Sequence, residues 1–168
     1  VDFHSAAYFL RYSNSLMVVR EQDSDARNSI ANHSTLGTLT TQALNDLDAF
    51  ESATIDSSDG AFIAKYPGEI GNSLKVSIVG SHDDASGETN FNAWAYKSSF
   101  DDAPGTSDYV SKLGGKNDEV HIAVIDEGGL ISGTAGTILE TFPFLSVASN
   151  AKAPDGTSIY FKEVLKTR

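Results

Sequence analysis

The sequence contains no cysteine, and this absence excludes two kinds of stabilising site. No disulfide can staple the fold, and no thiolate is available to bind a metal ion. Long apolar runs are also missing, since none approaches the roughly 20 residues that a membrane-spanning helix requires. We therefore expect a fold held together by its own core, without insertion into a membrane.

Basic residues are scarce as well. The 168 residues include 12 lysines and arginines against 23 aspartates and glutamates, which gives a net charge of −11. Proteins bind nucleic acid by neutralising its phosphates with lysine and arginine, so this balance argues against nucleic acid as a direct partner. A chain of this length can bury about 70% of its unfolded surface as one domain. We expect a single domain over residues 1–168 with a solvated, acidic surface.

The spacing of apolar residues predicts an α+β fold in which a mixed β-sheet carries peripheral helices. Helical spacing predicts helices near 3–13, 41–53 and 156–166, the second capped by Thr40 or Thr41 and the third by Asp155 or Thr157. Strands are predicted near 16–20, 74–80, 119–126 and 136–142, with a shorter one at 61–64. Residues 21–40 and 82–116 show no such spacing and are predicted to be irregular excursions.

The segment from Asn117 to Phe142 is predicted to form a β-hairpin. Its first half alternates Val120, Ile122 and Val124 with His121, Ala123 and Ile125. Glu127-Gly128-Gly129 then supplies the glycines that a tight reversal requires, and residues 137–142 return as a second strand. We interpret His121 as a surface residue or a hydrogen-bonded core residue rather than as a base.

No motif assembles a catalytic, cofactor-binding or metal site. The histidines His4, His33, His82 and His121 share no metal-ligand spacing. Gly114-Gly115-Lys116-Asn117 lacks the serine or threonine that follows the lysine of a phosphate-binding loop. Adjacent strand residues such as Asp126 and Glu127 point to opposite faces and so do not act on one bond. Asp83-Asp84 and Asp101-Asp102 have the oxygen ligands that calcium prefers, but solvated loop residues explain them better.

Residues 91–109 combine aromatic and acidic side chains, and they carry the alternative interpretation. Trp94, Tyr96, Asp101 and Asp102 are residue types that stack on a sugar and form hydrogen bonds with it. A carbohydrate-binding or hydrolytic module built on this loop is therefore the second hypothesis. Packing over a small satellite core is the simpler explanation of Trp94.

Five segments share their sequence pattern with one protein family. They are residues 6–20, 64–78 with Tyr66-Pro67-Gly68 and Gly71-Asn72, 124–127, 131–140 with Gly133-Thr134-Ala135-Gly136, and 155–165. In this order they resemble segments of the tail sheath proteins of contractile-tailed bacteriophages, although Ala135 stands where that family commonly has proline. Sheath subunits are much longer than 168 residues, so the resemblance implies that this chain is a fragment of one.

The resemblance implies a structural subunit rather than an enzyme. Sheath subunits polymerise around a tail tube and contract by rigid-body rearrangement to drive the tube through the host envelope. The implied partners are other sheath subunits and the tail tube protein, and the implied location is the virion, after synthesis in the host cytoplasm. The family links its subunits by strand exchange through terminal arms, which have no counterpart here. We therefore expect the 168-residue chain alone to be monomeric or weakly associated.

Overall fold

The computed structural model describes residues 2–17, 23, 25–31, 43–54, 60–81 and 88–167. Short helices and strands follow one another within these residues, and 3-10 turns at Glu69–Ser73 and Lys97–Ser99 connect some of them. The predicted α+β class is confirmed. The elements are α1 (Asp2–Phe9), β1 (Asn28–Ala31), α2 (Leu47–Ser52), β2 (Phe62–Pro67), β3 (Leu74–Gly80), α3 (Glu88–Ala93), α4 (Asp108–Lys112), β4 (Glu119–Asp126), β5 (Thr137–Ser146) and α5 (Phe161–Lys166).

The strands of the described residues form two antiparallel sheets. One sheet has the order β3-β4-β5 and the other pairs β1 with β2. β3 and β4 pair without interruption from Leu74 opposite Asp126 to Gly80 opposite Val120. The arrangement differs from the single mixed sheet expected from the sequence, although an isolated parallel bridge joins Ser146 to Tyr160.

The predicted hairpin is confirmed, because β4 and β5 pair antiparallel along their length. β3 and β4 have the predicted bounds, whereas β5 continues to Ser146, beyond the predicted end at residue 142. The register of β5 shifts twice, and the second shift leaves two residues opposite His121. Phe144 lies in this bulge with φ of 52°, a left-handed conformation that is uncommon for a bulky side chain.

The prediction of a strand near 16–20 is wrong for the two residues of that range that the structure describes. Leu16 and Met17 lie outside any strand, and Met17 is 91% exposed, while residues 18–20 are outside the described part of the chain. The sequence indicates a buried strand there because Leu16 to Val19 are four consecutive apolar residues. Apolar sequence alone does not distinguish a buried strand from an exposed apolar surface.

The helices are shorter than predicted, and for α2 and α5 the reason is that their caps lie elsewhere. α1 ends at Phe9, and α2 begins at Leu47, where the Asp46 carboxylate accepts a hydrogen bond of 2.7 Å from the Ala49 backbone. The predicted caps Thr40 and Thr41 are outside the described residues. α5 begins only at Phe161, because Asp155 accepts hydrogen bonds from Thr157 in a separate turn instead of capping the helix.

The two segments predicted to be irregular contain regular elements where they are described. β1 lies within 21–40, and α3 and α4 lie within 82–116. β1 carries little apolar sequence. Its Asn28 side chain is buried, donates to the Ala64 carbonyl at 2.8 Å and accepts from the Leu44 backbone at 2.7 Å. These side-chain hydrogen bonds, which sequence spacing does not reveal, help to position β1.

The core lies on both faces of β4. On one face, buried residues cluster with the partly buried side chains of α5. On the other face His121, Ala123 and Ile125 are at most 1% exposed. A central strand covered on both sides loses the polar alternation of an edge strand, which explains the nearly continuous apolar sequence of β4. The clustered residues are Val120, Ile122, Phe142 and Leu145, with Phe161, Val164 and Leu165 of α5 packed against them.

Candidate functional site around the β4–β5 hairpin

The loop of residues 127–136 connects β4 to β5 and is fixed by one buried carboxylate. Asp126 is 0% exposed and accepts hydrogen bonds from the Ile131 backbone at 2.9 Å and the Ser132 backbone at 2.7 Å. The Ser132 hydroxyl donates to the same oxygen at 2.8 Å, and the Ser73 hydroxyl donates to the other. The reversal is therefore longer than the tight turn predicted at 127–129, and a buried charge organises it.

Ser73 extends this anchor to the first half of the loop. Its oxygen accepts hydrogen bonds from the Gly128 backbone at 3.1 Å and the Leu130 backbone at 3.2 Å. Gly129 adopts φ of 76°, and a Cβ there would lie 2.7 Å from the Ala135 nitrogen. Glycine is thus required at Gly129 both by its backbone conformation and by the space available.

The charge state of Asp126 follows from its hydrogen bonds. Burial raises the pKa of Asp126, but the donors Ser132, Ser73 and Ile131 outweigh burial and hold the pKa well below its ordinary value of 3.8. Glu127, the next residue, is exposed and forms an ion pair with Lys75 at 2.5 Å. The two carboxylates therefore have separate environments. Asp126 stays ionised at neutral pH, where it acts as a structural acceptor.

His121 is the centre of a second buried cluster. Its Nε2 lies 2.8 Å from the Asp102 carbonyl oxygen, and its Nδ1 accepts a hydrogen bond of 3.0 Å from the Phe144 backbone. This pattern assigns the proton to Nε2 in the neutral ring. The ring stacks on Phe100 at 4.7 Å and forms T-shaped contacts with Phe91 and Phe144 at 5.7 and 4.6 Å.

Both ring nitrogens of His121 are occupied, so neither is available to a substrate. Burial lowers the pKa of His121 below 6.5, although the hydrogen bond with Asp102 acts in the opposite direction. The ring is therefore neutral at neutral pH. Of the two interpretations open from the sequence, the structure places His121 as the hydrogen-bonded core residue.

Trp94, Tyr96 and Phe100 of the 91–109 segment pack together beside this cluster, and Trp94 also contacts β3. The Trp94 Nε1 donates a hydrogen bond of 2.8 Å to the Ser77 hydroxyl, and its ring lies 5.6 Å from Tyr96 and 5.1 Å from Phe100. The exposed Asp102 carboxylate accepts from the Ala103 backbone at 2.8 Å. Trp94 is used in internal packing, so the geometry does not favour the sugar-binding hypothesis.

A third polar anchor lies at the other end of β4 and was missed by sequence reasoning. Asp118 is 5% exposed and accepts from the backbone and hydroxyl of Ser107, both at 2.8 Å, and from the Ser146 hydroxyl. Glu119 accepts from the Gly105 backbone at 2.8 Å, and burial raises the pKa of Glu119. These bonds tie the segment before α4 to β4 and β5. No local motif predicts them, because the partners are far apart in sequence.

The remaining candidate residues do not converge where the structure describes them. His4 is exposed on α1, while His33, His82, Asp83 and Asp84 are outside the described residues. Among the residues with described positions, no group of three histidine or carboxylate side chains could hold a metal ion. The Gly114-to-Asn117 segment is the connection between α4 and β4. Within the described ranges, no helix has the length and apolar character needed to cross a bilayer.

Comparison with known proteins finds similarity along nearly the whole chain. The sequence is 28% identical over 163 residues to the tail sheath protein of Salmonella phage ViI, a match that covers 97% of this chain. This chain is similar to a phage tail sheath protein. The resemblance inferred from the five segments is confirmed. The chain spans about a fifth of the relative's length, 22%. No family model and no solved structure matches the chain.

Proposed function

We propose that this chain is part of a structural subunit of a bacteriophage contractile tail sheath. In this role the complete subunit polymerises around the tail tube and contracts to drive the tube through the host envelope. The proposal rests on the tail sheath similarity, which extends over 97% of the chain rather than over one motif. The proposed partners are neighbouring sheath subunits and the tube protein, and the proposed location is the virion, after synthesis in the host cytoplasm.

The internal use of polar groups supports a structural role without enzymatic activity. In the described part of the chain, no buried side-chain nitrogen or oxygen lacks a hydrogen-bond partner. Asp118, His121 and Asp126 each form hydrogen bonds with one segment that precedes β4 in the sequence and one that follows it. These side chains therefore fix loops rather than face a substrate. Loops held in this way suit a subunit that moves as a rigid body during contraction. We propose that the chain has no catalytic residues and no cofactor.

Polymerisation of the complete polypeptide that contains this sequence tests the proposal. The complete polypeptide and the 168-residue chain are purified and compared by sedimentation and negative-stain microscopy over a salt series. We expect tubes from the complete polypeptide and a monomer or weak oligomer from the 168-residue chain. The charge of −11 adds repulsion that salt screens, so association should strengthen as salt increases. A complete polypeptide that stays monomeric at every salt concentration contradicts the proposal.

A further inference from the structure

The His121 ring lies between one hydrogen-bond acceptor and one donor. Its Nε2 faces the Asp102 carbonyl oxygen at 2.8 Å, and its Nδ1 faces the Phe144 backbone N–H at 3.0 Å. The neutral ring, with its proton on Nε2, satisfies both groups. A protonated ring carries an N–H on each nitrogen, so its Nδ1–H would point at the N–H of Phe144. Protonation therefore removes the acceptor of Phe144 and places two donors opposite each other.

The conflict falls on a residue whose backbone is already in an unfavourable conformation. Phe144 has φ of 52°, in the left-handed region that bulky side chains rarely adopt. It lies in the β5 bulge, where the register shift interrupts the ladder with β4, and the His121 ring supplies an acceptor for its N–H there. Loss of that hydrogen bond would leave a strained backbone with less to hold it.

The aromatic cluster keeps the ring dry while the bulge is closed. His121 is 0% exposed, with its ring stacked on Phe100 and in contact with Phe91 and Phe144. Phe144 itself is 38% exposed, so the bulge is a part of the cluster that reaches the surface. A movement of the bulge would therefore admit water to a ring that is otherwise enclosed, and a charged ring gains hydration in that way.

The charged groups near the ring affect its protonation but do not relieve the conflict at Phe144. The exposed Asp102 carboxylate favours the protonated ring, and Asp101 beside it is also exposed. On β4 itself, Glu119 lies two residues from His121 on the same face of the strand, where it accepts a hydrogen bond from the Gly105 backbone. Three other elements, α3, β5 and β3, each present an uncharged residue to His121, namely Phe91, Phe144 and Val79.

We propose that His121 and the β5 bulge form a proton-operated latch, in which the neutral ring holds Phe144 closed and protonation of the ring releases it while β3 and β4 stay paired. The sign follows from the two forms of the ring. A solvated ring in the open form has an ordinary pKa near 6.5, whereas burial lowers the pKa of the closed form. Proton uptake therefore favours the open form. The latch is a property of the fold and is independent of the proposed sheath function.

Hydrogen exchange of the Phe144 amide tests the latch in the 168-residue chain. Exchange is followed by NMR from about pH 7 downward until the chain unfolds, and is corrected for the intrinsic pH dependence of amide exchange. The nitrogen shifts of the His121 ring report its protonation in the same samples. Each opening takes up one proton, so the open population should rise by up to about tenfold per pH unit below about 6.5, until the closed ring is itself protonated.

The opening at Phe144 must also be local. Its free energy should be smaller than that of global unfolding, which urea denaturation with Trp94 fluorescence measures, and low concentrations of urea should change it little. Global unfolding exposes far more surface and responds strongly to urea, so the two kinds of opening are distinguished.

His121→Gln is the matched control. Glutamine keeps one hydrogen-bond donor and one acceptor but does not bind a proton over this pH range. Glu119 remains in the variant, so any pH dependence that comes from Glu119 would persist there. We expect opening at Phe144 in His121→Gln to be independent of pH. If the variant does not fold, the slope and the urea response of the unsubstituted chain still decide the question.

Four results would overturn the latch. They are exchange at Phe144 that does not depend on pH, exchange that occurs only through global unfolding, an equal pH dependence in His121→Gln, and a ring that becomes protonated while the Phe144 amide stays protected.

Discussion

Replacing His121 with leucine tests whether the cluster around its ring stabilises the fold. Leucine keeps an apolar side chain of similar size at a position that is 0% exposed, but it removes the hydrogen bonds with Asp102 and Phe144. Each lost hydrogen bond costs about 0.5–1.5 kcal/mol, and more where the remaining partner stays buried. Loss of the stacked contact with Phe100 at 4.7 Å costs about another 0.5–1.5 kcal/mol. We expect His121→Leu to lower the free energy of unfolding by about 2–4 kcal/mol, a large share of the 5–15 kcal/mol that is usual for a domain.

Urea denaturation followed by tryptophan fluorescence measures this loss. Trp94 is the single tryptophan and lies 5.1 Å from Phe100, so its emission reports on the same cluster. Tyr12→Leu is the control, because Tyr12 is 92% exposed and surface substitutions usually change stability by less than about 0.5 kcal/mol. A loss below about 1 kcal/mol for His121→Leu would refute the view that His121 holds the 88–105 segment and the β5 bulge in place.

Four further outcomes are expected. Because the pKa of His121 is lowered, the unfolded chain binds a proton there at a pH where the folded chain does not. Stability should therefore decrease as pH falls below about 6.5, and His121→Leu should flatten this decrease. An unchanged pH profile in His121→Leu would contradict the assignment. The lowered pKa of Asp126 should add a second loss of stability below about pH 3.8, the ordinary value. Gly133→Ala should lower the free energy of unfolding by about 1–2 kcal/mol, because Gly133 has a positive φ but a Cβ there meets nothing within 4 Å. Gly129→Ala should cost clearly more in thermal or urea unfolding, because its Cβ would lie 2.7 Å from the Ala135 nitrogen. Equal costs would show that the loop backbone moves to accommodate the Cβ. Melting curves with and without a chelator should coincide, and a shift of several degrees would show that an aspartate loop binds an ion.

Sequence spacing predicts β4 well because its nearly continuous apolar residues are buried on both faces. β3 also has the predicted bounds, although Leu74 and Ile78 of its alternating face are exposed and Val79 is buried. Helix ends are predicted less well because caps depend on which polar residue turns toward the backbone. Asp46 caps α2, and nothing in the sequence distinguished it from the other polar residues nearby.

The polar anchors were not predictable because they join residues that are distant along the chain. Ser73 and Asp126 are separated by 53 residues, and Asp118 and Ser146 by 28. Local motifs contain no information about such pairs. Sequence spacing placed Asp126 at the end of a strand and Trp94 in a packed loop, but only the fold shows which side chains they contact.

Labelling of phage particles with an antibody against this 168-residue chain tests the proposed place of the chain in a tail sheath. Immunogold microscopy of particles with extended and with contracted tails shows where the chain resides. We expect gold along the whole length of the sheath, with the labelled region shortening on contraction. Labelling confined to the head or baseplate, or particles that carry no label although the antibody binds the purified chain, would contradict it.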